Sequence, residues 1–172
     1  MKTRTILALL TCAAMTAALT ACGDTDDGGK LEKKSFKITE RESDDFGFSD
    51  NKPTTKLGDQ GPEKLSAGDQ LSFRSDLIRG GKDVGALFAQ CTVITGNSFN
   101  DAGGDCAGVY ELPEGSLSAH LGGERLFGSK TSTGTITGGT GDYVGASGTF
   151  SSPNSEGEGD TVSTITIYVP KD

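Results

Sequence analysis

Hydrophobic and polar residues alternate along much of the chain, and a period of two predicts β-strands. The alternation is clearest over residues 71–77 and 161–169, where Leu, Phe, Ile or Val stands at most of the alternate positions. After residue 21, no stretch keeps the 3.6-residue apolar period of a long amphipathic helix. The pattern therefore predicts an all-β domain.

Turn-forming sequences rich in Gly, Pro, Asp and Asn divide the chain into about eight strands. The predicted strands are a first one that includes Phe36 and Ile38, with Phe46 and Phe48 as further candidates for it, followed by 71–77, 84–95, 106–112, 116–121, 131–137, 143–151 and 161–169. A long loop through Pro53 and Pro62 is expected after the first strand. Antiparallel strands in this number can close into a single barrel with no exposed edge. A two-sheet sandwich is the alternative that the pattern leaves open.

Residues 1–21 predict a signal peptide, because a basic start precedes an apolar core at 6–19. That core is too short and too polar for a membrane-spanning helix, which needs roughly 20 mostly apolar residues. The sequence LTAC at 19–22 resembles the bacterial lipobox. This resemblance implies that Cys22 receives diacylglycerol and fatty acyl chains such as palmitate. The mature protein would then be anchored at the extracytoplasmic face of the cell membrane. An ordinary signal peptide that happens to contain a cysteine is the alternative.

Composition indicates one domain on an acidic tether. Residues 22–34 are polar and Gly-rich at first and predict a flexible acidic linker, and residues 35–170 form the predicted barrel domain. The net charge of −8 and the pI near 4.6 argue against nucleic acid as a partner, because its phosphates would be repelled. The same charge argues against a polybasic membrane anchor, so the lipid must hold the protein on the membrane.

The four cysteines have three expected fates. Cys12 is removed with the signal peptide, and Cys22 is acylated. Cys91 and Cys106 remain as an even pair in an exported chain, which predicts a disulfide. Closing a loop of about 15 residues is worth roughly 3 kcal/mol in the chain-entropy model. With one His and no CxxC motif, no metal site is predicted.

Five segments are similar to the allene oxide cyclase barrel-like proteins of bacteria. They are LSAGDQ at 65–70, GKDVG at 81–85, CTV at 91–93, LPEGSLSA at 112–119 and ITGGTGDYVGASG at 136–148. The last of them also resembles the Gly-rich stretch of plant dirigent proteins. The resemblance covers about residues 36–169 and implies a calycin-like, eight-stranded antiparallel barrel with a central apolar cavity. Some members of the family steer cyclisation of unsaturated lipids, coupling of phenolic radicals or ring closure of polyketides, and many bacterial members have no established activity. The similar segments are turns and strands, so they indicate fold more than function.

The glycine cluster at 138–141 does not predict a nucleotide site. A dinucleotide fingerprint needs a third glycine where this chain has Val144, and no helix pattern follows it. The cluster is explained by a tight turn between strands, and no cofactor is predicted.

Ionisable side chains suggest catalysis only weakly. His120 stands on the opposite face from Leu117, Ala119 and Leu121, and the pattern does not say which of the two faces lines the lumen. Other residues that could line a pocket are Glu111, Asp142, Arg74, Arg125, Tyr110 and Tyr143. Of these groups, His120, Glu111 and Asp142 are the candidates for an acid or base.

Three functions remain open at this point. The first is a cell-envelope lipoprotein whose barrel binds a small apolar or aromatic molecule, and the second is an isomerase, cyclase or dirigent-type protein that steers a reaction inside it. The third is a structural lipoprotein with a filled barrel. The chain has no Trp, only 2 Met and 26 Gly, so few bulky side chains are available to fill a lumen. We therefore expect a cavity of a few hundred Å³, open at one end, unless Phe46 and Phe48 fold in to plug it.

Overall fold

Eight antiparallel strands close into a barrel in the computed structural model, which describes residues 30–51, 57–58, 61–62, 64–125, 129–153 and 159–171. The barrel strands are β1 (Leu31–Ser49), β4 (Gln70–Arg79), β5 (Lys82–Thr95), β6 (Gly103–Leu112), β7 (Gly115–Gly123), β8 (Thr131–Gly139), β9 (Ser147–Pro153) and β10 (Thr161–Pro170). A separate two-stranded pair is formed by β2 (Leu57–Gly58) and β3 (Gly61–Pro62). Around the barrel the order is β1-β10-β9-β8-β7-β6-β5-β4, with β4 returning to β1. The predicted all-β barrel is confirmed, and the sandwich is excluded.

Helical structure within the described ranges is limited to two 3-10 turns, Phe99–Asp101 and Gly141–Tyr143. No helix in these ranges is long and apolar enough to cross a membrane.

The first strand begins earlier than the sequence predicts, at Leu31, inside the segment expected to be linker. It continues to Ser49 and includes Phe46 and Phe48, which are the further candidates for it. It is this long because its first half pairs with β10 and its second half with β4. A register shift between Glu42 and Phe46 bends the strand between the two halves. Phe46 is 45% exposed and does not plug the lumen, whereas Phe48 is partly buried against the apolar cluster that contains Leu65 and Leu71.

The half of the barrel nearest Lys30 is filled by large aliphatic side chains. The inward-facing residues there are Ile38, Leu77, Leu117, Ile165 and Ile167, each at most 1% exposed. In the other half several inward positions are small, namely Ala89, Gly108, Ala119, Gly134 and Ser152, although Phe73, Leu87, Leu121 and Phe150 also face inward there. This difference in side-chain volume leaves one end of the barrel solid and the other hollow.

The predicted disulfide is confirmed. Cys91 on β5 and Cys106 on β6 stand directly opposite each other, and their Cα atoms are 4.0 Å apart. Both side chains are buried in a second apolar cluster with Leu65, Leu71 and Val93. The disulfide therefore covalently joins two strands that line the hollow half of the barrel.

A buried carboxylate organises the turn before β4. Asp69 is fully buried and accepts hydrogen bonds from the backbone N–H of Asn51 at 2.9 Å and of Ser66 at 2.7 Å, and from the Ser66 hydroxyl at 3.0 Å. These three donors satisfy a charge that would be costly to bury alone. The LSAGDQ segment thus has a structural role at the rim of the barrel.

Candidate functional site

The hollow half of the barrel contains a cavity of about 300 Å³. Its wall is mostly apolar, and Phe73, Leu87, Leu121 and Phe150 supply the large side chains. The cavity reaches the end of the barrel where β5 leads into the Phe99–Asp101 turn, and Phe99, Pro153 and Thr161 stand at that opening, called the mouth below. The expected cavity of a few hundred Å³ is confirmed, and the lumen is not filled as a purely structural barrel would require.

The lack of a side chain at Gly134 leaves room for the Phe150 ring in the wall of the cavity. A Cβ on Gly134 would lie 2.3 Å from Cε1 of Phe150 and 2.4 Å from the carbonyl oxygen of His120. No larger residue fits there without displacing the phenyl ring. The ring of Phe150 in turn packs edge-on against Tyr110, with centroids 6.3 Å apart and an interplanar angle of 64°.

Glu40 is the carboxyl group inside this cavity. It lies on β1 opposite Thr161 and Leu77, with the same strand parity as the inward-facing Ile38. The hydroxyl of Tyr110 donates a hydrogen bond to its Oε1 at 3.1 Å. Burial raises the pKa of Glu40, and hydrogen bonds from Ser163 and Tyr110 offset part of that rise. Glu40 thus holds its proton to a higher pH than an exposed glutamate does.

Tyr110 is the second polar group at this point. Its side chain is 2% exposed, so the hydroxyl is almost completely withdrawn from bulk water. Burial raises its pKa, and the neighbouring Glu40 charge raises it further. Tyr110 therefore acts as a neutral hydrogen-bond donor rather than as a base.

Serine hydroxyls extend the polar side of the cavity. Ser163 is fully buried next to Glu40, and its Oγ is in close contact with Oγ of Ser152. Ser132 and Ser152 also line the cavity. One side of the lumen, from β8 through β9 and β10 to β1, therefore carries hydroxyls and a carboxyl. The opposite side is apolar.

The arrangement can hold a small molecule in one orientation. An apolar body would fit against the Phe73, Leu87 and Leu121 side, and a single polar group would reach Glu40 and Tyr110. A carboxyl group with a raised pKa can donate a hydrogen bond when protonated and accept a proton when ionised, so the site also has the groups needed for acid–base chemistry.

The structure does not bring the three predicted acid–base candidates into the lumen. Leu117, Ala119 and Leu121 face inward. His120 borders the cavity, but its side chain faces outward, is 47% exposed, and has its Nε2 2.6 Å from Oδ1 of Asp105. Glu111 is exposed on the outer surface of β6, between its partners Ala86 and Ser116. Asp142 is exposed on the Gly141–Tyr143 turn at the solid end.

Of the other candidates, only Tyr110 lines the cavity. Arg74 lies outside, 2.6 Å from Asp76 and stacked over the Phe88 ring. Tyr143 is buried at the solid end, where its hydroxyl lies 3.4 Å from Oε2 of Glu114. Arg125 is exposed.

Sequence reasoning missed Glu40 because it lies in a charged run, Thr39 to Glu42, that looks like a loop. A usable signal was present: Phe36, Ile38 and Glu40 share one strand face, and the first two are apolar. Among the described residues, no group of three or more His, Cys, Asp or Glu side chains is placed to hold a metal ion.

The fold and its lumen define a small antiparallel barrel with an internal, mainly apolar cavity. Among solved structures, a pyocyanin demethylase has the same fold, with a TM-score of 0.62 and 20% identity over 78% of this chain and 99% of that one. A nonspecific heme-binding cyclase that catalyses a [4 + 2] cycloaddition in neoabyssomicin biosynthesis has a TM-score of 0.59 and 17% identity, over 83% of this chain and 69% of that one. A pterocarpan synthase dirigent protein has a TM-score of 0.52 and 18% identity, over 83% of this chain and 89% of that one.

At these identities the likeness is one of fold. It confirms the predicted similarity to dirigent-like and cyclase-type barrels at that level. The sequence matches no protein-family model and no curated protein.

Proposed function

We propose that this chain is a lipid-anchored protein of the cell envelope whose barrel binds a small apolar or aromatic molecule bearing one polar group. The observation that carries this proposal is the Glu40–Tyr110 pair set into a cavity of about 300 Å³ with mostly apolar walls. Packed at the density of a protein interior, that space suits a ligand of about a dozen non-hydrogen atoms. The LTAC sequence at 19–22 and the polar stretch after it support the lipid anchor.

Ligand binding is tested by thermal shift on the mature chain from residue 22, carrying Cys22→Ala to prevent acylation. The compounds are fatty acids, phenolics, terpenoids and polyketide-like molecules. A ligand at 100 times its dissociation constant stabilises the folded state by about 2.7 kcal/mol. In a domain of this size, that raises the melting temperature by roughly 5–10 °C.

The matched control is Ala89→Leu, which extends a side chain into the cavity without altering its polar side. This variant should keep its fold and lose the shift. If no compound class shifts wild type, or if Ala89→Leu responds as wild type does, lumenal binding is wrong.

A second candidate function is an isomerase or cyclase, and the raised pKa of Glu40 favours it specifically. In this role Glu40 would move a proton on the bound molecule while Tyr110 holds the polar group. Two proteins of the same fold are named as a demethylase and a cyclase, which supports the proposal that a reaction takes place in such a lumen. A ligand found in the screen would be followed for conversion. Glu40→Gln should still bind it but convert it about 10²–10⁴ times more slowly. Equal conversion by both proteins would remove Glu40 from the reaction.

A further inference from the structure

The end of the barrel away from the mouth is called the basal face here. It comprises the start of β1, the turns at 80–83, 113–114 and 140–145, and the end of β10. The chain enters the barrel at this face. Leu31 pairs with Pro170, and the N–H of Lys171 donates to the carbonyl of Lys30 at 2.9 Å. The segment 22–29 is therefore joined to the barrel at the end opposite the mouth.

The basal face carries an unusual share of the positive charge of an acidic protein. Its exposed lysines are Lys30, Lys33, Lys82 and Lys171. None of these four makes an ion pair with any residue in the described ranges, whereas Arg79 and Lys34 are each paired with a glutamate. Asp83 and Asp142 offset part of this charge. Loss of Lys2 and Arg4 with the signal peptide would take the formal net charge of the protein from −8 to −10. A group of lysines on one face therefore differs from the acidic character of the protein as a whole.

Exposed apolar side chains accompany the lysines. Leu31 is 58% exposed and Val144 is 65% exposed. Leu31 pairs with Pro170, and a Cβ on Gly145, the residue after Val144, would come within 3.0 Å of the Pro170 ring. Apolar side chains among lysines are the composition of surfaces that rest at the interface of an anionic bilayer.

We infer that the basal face lies against the bilayer surface, with its lysines among anionic lipid headgroups, and that the mouth points away from the membrane. The inference rests on the proposed acylation of Cys22. The four lysines are partly offset by Asp83 and Asp142, by Asp172 next to Lys171, and by Asp24, Asp26 and Asp27 in the segment that joins this face. They are therefore too few to hold the protein on a membrane by themselves. They are enough to bias its orientation once the lipid has brought it there.

The length of the tether favours the same orientation. The eight residues from Cys22 to Gly29 span at most about 28 Å when fully extended. With strands tilted by about 40°, the ten residues of β10 span about 25 Å along the barrel axis. In an inverted barrel the basal attachment point would stand at least that far above the membrane. An inverted barrel therefore requires an almost fully stretched tether.

This orientation means that a ligand enters the lumen from the aqueous side rather than directly from the bilayer. The chain contains no Trp, so a single introduced Trp reports its own position. Val144→Trp places one on the basal face, and Ile94→Trp places one near the mouth. Ile94 is a matched site, because it is 59% exposed.

The acylated variants are purified, checked for a wild-type melting temperature, and reconstituted into vesicles of phosphatidylethanolamine and phosphatidylglycerol with brominated acyl chains. The expected result is loss of Trp emission for Val144→Trp and little loss for Ile94→Trp. Equal loss at both sites, or greater loss at Ile94→Trp, overturns the orientation. Adding Lys33→Glu and Lys82→Glu to Val144→Trp should restore part of its emission. Unchanged quenching would overturn the contact between the lysines and the headgroups.

Separate measurements test whether Cys22 is acylated and how the barrel is oriented on the membrane. The intact mass of the wild-type protein shows whether Cys22 carries acyl chains. If it does not, the thiol of Cys22 in the mature chain is coupled to a maleimide-bearing lipid in the same vesicles. The quenching comparison then tests the orientation with the chain attached at the same residue.

Discussion

Glu40 and Tyr110 face each other across the lumen from β1 and β6, strands that lie three positions apart around the barrel. Their hydrogen bond therefore links opposite walls rather than neighbours in the sheet. Ser163 supplies a second hydrogen bond to the carboxyl, from β10. This arrangement fixes the carboxyl at the boundary between the packed half and the cavity, where a ligand would meet it.

The raised pKa of Glu40 makes stability depend on pH. Above the ordinary Glu pKa of 4.5, the unfolded chain loses this proton while the folded chain still holds it. The free energy of unfolding therefore falls as pH rises from 4.5 to the folded-state pKa, and is constant above it. Glu40→Gln removes this contribution, so its stability relative to wild type should rise with pH across that window. Urea denaturation at a series of pH values measures the difference.

The control for this experiment is Glu42→Gln, which removes the same charge from an exposed position on the same strand. Its pH profile should follow that of wild type. Parallel profiles for wild type and Glu40→Gln would contradict a raised pKa at Glu40.

The Tyr110 hydroxyl can be tested without disturbing the ring. Tyr110→Phe keeps the edge-on contact with Phe150 but leaves the partly buried Glu40 carboxyl with one donor fewer, which should cost about 1 kcal/mol. In the Glu40→Gln background the same substitution should cost measurably less, because the acceptor is no longer a carboxylate. A double-mutant cycle by urea denaturation gives this coupling energy. A coupling energy of zero would show that the two side chains do not interact in solution.

Much less of the site than of the fold could be predicted from the sequence. Tyr110 was among the candidates because a Tyr near the end of a strand was easy to place near a pocket. The outward position of His120 could not be predicted, because the alternation defines two strand faces without showing which of them lines the lumen. Glu40 was hidden because its partners, Tyr110 and Ser163, are 70 and 123 residues away in sequence and only barrel closure brings them together.

At the scale of elements, the disulfide joins β5 and β6 at the cavity wall. Replacing both cysteines by alanine removes the cross-link that closes a 15-residue loop, which should lower the free energy of unfolding by roughly 3 kcal/mol. Urea denaturation of the Cys91→Ala/Cys106→Ala variant measures the loss. Wild type reduced by dithiothreitol is the matched control and should approach the same value. A loss below about 1 kcal/mol would mean that strand pairing alone constrains this loop.

Strands β4 and β10 were predictable because the alternation and the turn residues agree there. The prediction for 71–77 falls within Gln70–Arg79, and the prediction for 161–169 falls within Thr161–Pro170. β1 was underestimated because its charged outward residues hide the alternation and its length depends on pairing with two strands. Bulges were also missed. At Gly85, φ is +144° and a Cβ would lie 1.9 Å from the carbonyl oxygen of Glu111, a close approach that depends on the neighbouring strand.

At the scale of the whole molecule, the two ends of the barrel have different roles. The basal end is closed by a cluster in which the Arg79 guanidinium contacts the Glu114 carboxylate, Tyr143 packs against both, and Arg79 lies 5.9 Å over the ring of Phe36. At the mouth end, Leu65, Leu71, Val93 and the Cys91–Cys106 disulfide form the second buried apolar cluster. The cavity opens beside that cluster, at Phe99, Pro153 and Thr161, so a ligand is expected to enter there, at the end away from the chain's point of entry.

The proposed lipid anchor would determine where this molecule works, and Cys22 is the residue that tests it. In wild type, two or more acyl chains at about 0.8 kcal/mol per buried methylene should hold the protein firmly on membranes. Cys22→Ala removes the only acyl acceptor in LTAC, so the protein should move to the soluble fraction while its barrel keeps a wild-type melting temperature. Cell fractionation and the intact mass of the purified protein provide the measurements. The matched control is Cys12→Ala, which lies inside the predicted signal peptide and should change neither location nor mass. If wild type and Cys22→Ala fractionate alike and wild type carries no acyl mass, the protein is not lipid-anchored and the role of its lumen must be sought away from the membrane.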